Sequence, residues 1–142
     1  MQQVILAIAL LISSLIFAQK ETELKDESIT ITATVVNALN DTGEIRFALY
    51  TKENFMKQPL FHQSAIIEEG KSTVTFTNIP KGIYAVTCYH DENDNKQMDF
   101  FENGMPKESY GSSNNPLNFG PPDFESSKFE VSNKDIILEI KF

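Results

Sequence analysis

Apolar and polar side chains alternate along several short segments of the chain, which is the pattern of β-strands. In residues 29–35 apolar side chains alternate with threonine, and residues 45–50 show the same period of two. Such alternation predicts a strand with one face on a core and the other in water. Between the two segments, residues 40–43 read Asn-Asp-Thr-Gly, which favours a turn. We therefore expect residues 29–50 to form an antiparallel hairpin.

The remaining strand signals are also short and are separated by turns. Residues 83–90 are largely apolar throughout, which predicts a strand in the centre of a sheet. Short strands, frequent turns and no amphipathic helix favour an all-β protein, a single antiparallel β-sandwich of prealbumin-like or immunoglobulin-like type over residues 28–142. The further strands are expected at 73–77, 128–131 and 136–142.

Two long segments lack a regular period. Residues 51–64 scatter apolar side chains around Pro59, which predicts a long connection that folds its aromatic side chains over the sheet. Residues 103–127 are rich in Gly, Pro, Ser and Asn, which predicts a long irregular loop region. Aromatic side chains recur in this region. We therefore expect an ordered loop, held by Tyr110, Phe119 and Phe124.

The N-terminal segment is typical of a secretory signal peptide. Residues 1–18 carry no charged side chain and include an apolar run, so cleavage is predicted after Ala18. An uncleaved membrane anchor is the alternative, because the run has the shortest length that spans a bilayer. Residues 19–27 are polar and are expected to form a flexible lead. The predicted location is secreted or periplasmic, with no stable membrane insertion after cleavage.

The chain is acidic, with 20 acidic and 12 basic residues and a net charge of −8 at pH 7. Residues 1–18 contain no charged side chain, so removing them leaves this excess intact. A negative surface disfavours nucleic acid and anionic membranes and favours cations. We therefore expect no nucleic-acid partner.

One segment has the ligand spacing of a calcium loop. Residues 91–102 read Asp-Glu-Asn-Asp-Asn-Lys-Gln-Met-Asp-Phe-Phe-Glu, with oxygen-bearing side chains at positions 1, 3, 5, 9 and 12 of the window. Calcium prefers roughly six to eight oxygen ligands. The predicted ligands are the side chains of Asp91, Asn93, Asn95, Asp99 and Glu102 and the main-chain carbonyl of Gln97.

A solvated turn is the alternative interpretation of the same segment. Asp and Asn side chains often accept hydrogen bonds from nearby backbone N–H groups, with no metal present. A strand is expected to lead into the segment, and Gly104 and Pro106 leave little room for a helix after it. Glu102 is therefore the ligand with the least support. If calcium binds, we expect the weak affinity of extracellular modules, ~0.1 to 1 mM.

The order of several motifs resembles a known family. Residues 76–86 are similar to the corner of transthyretin-like and carboxypeptidase-regulatory-like sandwiches. The other motifs are His-Asp-Glu-Asn at 90–93, Gly-Met-Pro-Lys-Glu-Ser-Tyr-Gly at 104–111 and Phe-Gly-Pro-Pro-Asp-Phe at 119–124. In this order, the motifs resemble the bacterial secreted domain of unknown function 2141 (DUF2141) over residues 29–142. The resemblance implies a secreted single-domain β-sandwich with no established activity.

The chain departs from this family inside the predicted calcium loop. The family usually has glycine at the fourth and sixth positions, where this chain has Asp94 and Lys96. Glycine at the sixth position serves a sharp turn in the left-handed region of backbone conformation. The departure argues against a strict EF-hand geometry.

No catalytic constellation is visible, and we expect a non-enzymatic protein. His90 beside Asp91 could act as a general base, but His62 lies in an unpatterned segment and nothing places the two histidines together. Cys88, the only cysteine, lies in a strand-forming segment with no His or Asp spaced to activate it. We expect Cys88 to be a small buried apolar side chain.

A second functional hypothesis does not depend on calcium. Aromatic side chains beside amide side chains suit sugar or peptide binding, so the loop could serve a surface ligand-binding or adhesion module with a glycan or protein partner. The same side chains could instead hold the loop onto the sandwich. The residues concerned are Tyr110, Asn114, Asn115, Phe119 and Phe124.

Overall fold

The computed structural model describes residues 28–142. The predicted signal peptide (1–18) and polar lead (19–27) lie outside these residues. Within residues 28–142, no helix is both long and apolar enough to cross a membrane. In chain order the elements are β1 Ile29–Val35, β2 Glu44–Tyr50, β3 Phe61–Ile66, β4 Ser72–Ile79, β5 Gly82–Asp91, β6 Tyr110–Ser112, α1 Phe124–Ser127, β7 Phe129–Val131 and β8 Ile136–Ile140.

The strands form two sheets, which confirms the all-β sandwich. The first sheet has the order β4-β1-β8, with β1 antiparallel to β4 and parallel to β8. The second sheet has the order β3-β2-β5-β6, and all of these pairs are antiparallel. The short strand β7 also pairs with β5, near its N-terminal end.

The core lies between the two sheets and follows the alternation of the sequence. Ile31 and Ala33 point inward from β1, and Phe47 and Leu49 point inward from β2. Burying one side chain of the size of Leu or Phe contributes roughly 1.5 to 3 kcal/mol. Cys88 belongs to the same core, as predicted, and burial raises the pKa of its thiol.

The predicted hairpin of residues 29–50 is wrong. β1 and β2 lie in different sheets, and the turn between them crosses from one sheet to the other. The Asp41 carboxylate accepts the N–H groups of Glu69 (3.1 Å) and Gly70 (2.9 Å), which fastens this crossing to the segment before β4. Period-two alternation specifies the buried face of a strand but not its partner, so both strands were recognised and their pairing was not.

Three short elements lie in segments that were predicted to be irregular. β3 is an edge strand whose side chains are almost all exposed, so its sequence has no alternation to display. β6 and α1 interrupt the loop region 103–127. α1 is one turn long, and its N-cap Asp123 accepts the N–H of Ser126 at 3.0 Å. Elements this short leave little periodic signal.

Candidate cation site and the adjoining groove

The outer face of the second sheet ends in acidic side chains. The β2–β5 pairing puts Glu44 opposite Asp91, the last residue of β5. The carboxylate oxygens of Glu44, Asp91 and Asp94 lie within 4.8 Å of one another. Arg46 forms an ion pair with Glu44. Like charges this close repel each other, and a divalent cation would relieve that repulsion.

A further carboxylate reaches the same place from the other side of β5. β6 runs antiparallel to β5, and the pairing continues before β6 because His90 N–H donates to the Ser109 carbonyl at 2.9 Å. Continuing the register by one residue puts Glu108 beside Asp91. Glu44, Asp91 and Glu108 therefore form a row across three neighbouring chain segments.

The backbone after β5 curls around the Asp91 carboxylate. Asp91 is fully buried, and it accepts the N–H groups of Asn95 (3.1 Å) and Lys96 (2.8 Å). Asp94 and Lys96 both have left-handed backbone conformations, with φ of 53° and 64°. These are the fourth and sixth positions of the predicted calcium loop. The loop therefore adopts a sharp turn at these positions without glycine.

Four of the predicted ligand side chains converge inside this loop. The Asp99 carboxylate accepts the side-chain N–H groups of Asn93 and Asn95, each at 2.8 Å. The amide oxygen of Asn93 accepts the N–H of Asn95, and that of Asn95 accepts the N–H of Gln97. Such bonds also occur in a solvated turn. They bring Asp91, Asn93, Asn95 and Asp99 together but do not by themselves identify a metal site.

Glu102 is separated from the other predicted ligands by a small hairpin. The N–H of Lys107 donates to the Asp99 carbonyl, and the N–H of Phe101 donates to the Met105 carbonyl, each at 2.8 Å. Glu102 lies at the tip of this hairpin and is exposed. Three residues of extended chain span roughly 10 Å, so the hairpin carries Glu102 away from Asp99.

Glu108 lies at the base of the same hairpin and was not among the predicted ligands. It is only 8% exposed, and its Oε2 accepts the Asp99 N–H at 3.1 Å. Its Oε1 is buried and has no hydrogen-bond partner among residues 28–142. Burial raises the pKa of Glu108, and the Asp99 and Asp91 carboxylates raise it further, whereas the backbone N–H groups of Asp99 and Glu92 lower it. Glu108 lies two residues before Tyr110, and residues two apart along a strand share one face of the sheet. This spacing is the signal in the sequence that could have identified Glu108.

The turn before β2 supports the start of the loop. A Cβ built on Gly43, which has φ of +70°, would lie 2.0 Å from the Asp91 carbonyl oxygen. Only glycine permits this contact between the two backbones. The buried His90 also reaches this turn, because its Nε2 lies 2.6 Å from the Thr42 carbonyl oxygen. The geometry of the 40–43 turn therefore helps to set the position of Asp91.

The two histidines lie on opposite faces of the second sheet. His62 is exposed on β3 and pairs in register with Ala48, on the outer face of β2. His90 is buried and pairs with Ile45, on the inner face. The sheet therefore does not place the two imidazoles in one site.

Three residues of the second hypothesis are held by contacts within the domain. The side-chain amides of Asn114 and Asn115 donate to backbone carbonyls of other segments, each at 2.8 Å. Phe124 is buried, and its ring centre lies 5.5 Å from that of Phe55 in an edge-on contact. Tyr110 is held as well, because its hydroxyl donates to the Gly120 carbonyl at 2.8 Å. Phe119 is fully exposed, so the expectation that it holds the loop is wrong.

An apolar groove of about 780 Å³ lies on the outer face of the second sheet. Its floor is formed by β2 and β5, and segments 98–106 and 118–122 contribute its walls. Arg46 and Gln63, two polar side chains of the lining, already have partners within the domain. This volume is within the range of small-molecule sites, roughly 300 to 1,000 Å³. Its apolar lining includes Met56, Met98, Phe100, Met105, Tyr110 and Phe119.

Comparison with protein families gives one match. Residues 33–138 match a family described as "Uncharacterized protein conserved in bacteria (DUF2141)". No curated protein and no solved structure matches the chain.

Proposed function

Since the chain belongs to the bacterial family DUF2141, whose description includes no activity, we propose a function from the geometry of its own residues. The protein is a secreted, non-enzymatic β-sandwich whose loop after β5 binds a structural calcium ion. The supporting observation is the fully buried Asp91 carboxylate, around which the chain brings Asn93, Asn95 and Asp99 together.

These groups suit a hard cation. Asp91 and Asp99 offer carboxylate oxygens, and the amide oxygens of Asn93 and Asn95, which each accept a backbone N–H of the loop, retain a second lone pair for a cation. The main-chain carbonyl of Gln97 adds one more oxygen, and waters complete the shell of calcium. The loop contains no Cys or His, its single sulfur, on Met98, lines the apolar groove, and the ring of the adjoining His90 belongs to the inner face. The donor set therefore favours calcium over a transition metal.

Calcium is expected to raise the melting temperature of the purified protein. With a dissociation constant of ~0.5 mM, 5 mM calcium adds about 1.4 kcal/mol to the free energy of unfolding. For a domain of this size that corresponds to a rise of roughly 5 to 10 °C over the protein in chelator. Thermal unfolding followed by circular dichroism measures the shift.

Two substitutions provide the control for this experiment. Asp99→Asn removes a charge inside the loop and is expected to abolish most of the calcium shift. Glu130→Gln removes a charge from an exposed position of β7 and should leave the shift intact. Equal shifts in both variants would mean that calcium acts on the general acidic surface, and this would contradict a site in the loop.

The apolar groove favours a second candidate function, the binding of an apolar small molecule. Large apolar side chains that remain exposed around a concave surface mark binding sites. Arg46 and Gln63 are already paired and most of the lining is apolar, so the groove offers mainly carbon surface to a ligand. Among the residues of the second hypothesis, Tyr110 and Phe119 line the groove and are the candidate contact residues for such a ligand.

A pair of adjacent phenylalanines tests this candidate. Phe100 lines the groove and Phe101 does not contribute to its lining, yet both side chains are 55% exposed. The neutral fluorescent probe N-phenyl-1-naphthylamine should bind the protein, and Phe100→Ser should weaken its binding about tenfold. Phe101→Ser should have little effect. Equal loss in the two variants would show that the probe senses exposed apolar surface in general.

A further inference from the structure

We propose that Glu108, and not Glu102, is the carboxylate that closes the calcium site. This inference rests on the proposed function and assigns a ligand outside the loop itself. Glu108 is 8% exposed, and one of its carboxylate oxygens has no hydrogen-bond partner among residues 28–142. A buried carboxylate oxygen without a partner is costly, because it has left water and gained no donor in exchange.

The groups around the Glu108 carboxylate indicate what its unpaired oxygen can bind. Its other oxygen accepts the Asp99 N–H at 3.1 Å, which fixes the carboxylate against a residue of the loop. The strand register puts it beside Asp91 on the outer face of the sheet. Two carboxylates directly opposite each other in a sheet destabilise it unless something positive lies between them. A divalent cation between Asp91 and Glu108 would satisfy the free oxygen and remove the repulsion.

A solvated turn does not account for the unpaired Oε1 of Glu108. Capping of the turn uses Asp91, Asn93 and Asn95, whose oxygens accept backbone N–H groups of the loop. Glu108 belongs to a different segment, separated from Asp99 by the hairpin 99–107. Its Oε2 caps the Asp99 N–H, so a solvated turn leaves only its buried Oε1 without a role. This unpaired oxygen is therefore the observation that separates the two interpretations of the loop.

Calcium bound through Glu108 would also restrain the hairpin 99–107. Calcium held from both ends of the hairpin 99–107 fastens that hairpin to the end of β5. Phe100, Met105 and Pro106 belong to the hairpin and also line the apolar groove. Calcium binding thereby fixes one wall of the groove.

Isosteric substitutions at the two glutamates test the assignment. Glu108→Gln should reduce the calcium affinity on the order of 10- to 100-fold, as loss of a group of the metal site does. Glu102→Gln should leave the affinity within twofold of the wild-type value. In chelator, Glu108→Gln should melt at the same temperature as the wild type or higher, because it removes a repulsive charge. A merely structural role for Glu108 would lower that temperature instead.

The outcomes separate this inference from the proposed function. Loss of the calcium-induced melting shift in Glu108→Gln, with a normal shift in Glu102→Gln, supports the assignment. A normal shift in Glu108→Gln together with a lost shift in Asp99→Asn overturns the role of Glu108 and leaves the calcium loop standing. No shift in the wild-type protein overturns both. Should Glu108→Gln fail to fold, Glu108→Asp keeps the charge, shortens the side chain and should weaken calcium binding.

Amide hydrogen exchange tests the consequence for the hairpin. In wild-type protein and in Glu102→Gln, calcium should slow exchange at the Phe101 N–H, which donates to the Met105 carbonyl. In Glu108→Gln the same amide should exchange equally fast with and without calcium. Equal protection by calcium in both glutamate variants would contradict the fastening of the hairpin through Glu108.

Discussion

Lys96 shows how single residues hold the loop in shape. Its left-handed backbone conformation costs a residue with a Cβ roughly 1 to 2 kcal/mol relative to glycine. The Asp91 carboxylate offsets part of this cost by accepting the N–H groups of Asn95 and Lys96. The missing glycine argued against an EF-hand geometry. The loop still adopts the left-handed conformation at this position, because hydrogen bonds to a buried acid stabilise it.

Restoring glycine at this position should stabilise the protein. Lys96→Gly is expected to raise the free energy of unfolding by up to about 1 kcal/mol, because glycine adopts a positive φ at low cost. Denaturant unfolding in chelator measures the change without a contribution from calcium. Gln97→Gly is the control, since Gln97 does not have a positive φ and should only lose stability on becoming more flexible. A loss of stability in both variants would contradict strain at Lys96.

At the scale of elements, the alternation predicts which face of each strand is buried, whereas the pairing of strands depends on contacts between residues far apart in sequence. The buried faces of β1 and β2 follow from their alternating side chains. The alternation does not identify the partners of these strands, because it specifies which face of a strand is buried and not which strand pairs with its edges. Glu108 was missed for the same reason. It lies near Asp91 only through the pairing of β5 with the short strand β6.

The turn between β1 and β2 contains Gly43, and substituting this glycine tests whether the turn positions the loop after β5. Gly43→Ala should destabilise the protein by about 2 to 4 kcal/mol, because the new Cβ would overlap the Asp91 carbonyl oxygen and displace the start of the loop. It should also weaken the calcium-induced melting shift. Gly104→Ala is the matched control. Gly104 also has a positive φ, but a Cβ there meets nothing within 4 Å, so only the backbone cost of about 1 kcal/mol is expected.

Denaturant unfolding in the presence and absence of calcium distinguishes the two glycines. Equal destabilisation of Gly43→Ala and Gly104→Ala would mean that the contact with Asp91 contributes nothing beyond backbone strain. In that case the turn would not position the loop.

At the scale of the whole molecule, the sandwich serves as a rigid support for one outer face. The core fixes β2 and β5, and their outward side chains continue from the acidic row of Glu44 and Asp91 to the floor of the groove. The hairpin 99–107 lies between these two regions and contributes to both. The net charge of −8 favours cations near this face. A calcium ion would thus link the two candidate sites.

The most direct test of calcium binding is a titration of the ¹⁵N-labelled protein, followed in its amide ¹H–¹⁵N correlation spectrum. Binding at the proposed site predicts saturable shifts with a midpoint of ~0.1 to 1 mM calcium. The largest changes should cluster at residues 91–99 and at Glu108. Shifts that do not saturate by 10 mM calcium, or that spread evenly over the acidic surface, would contradict a calcium site after β5.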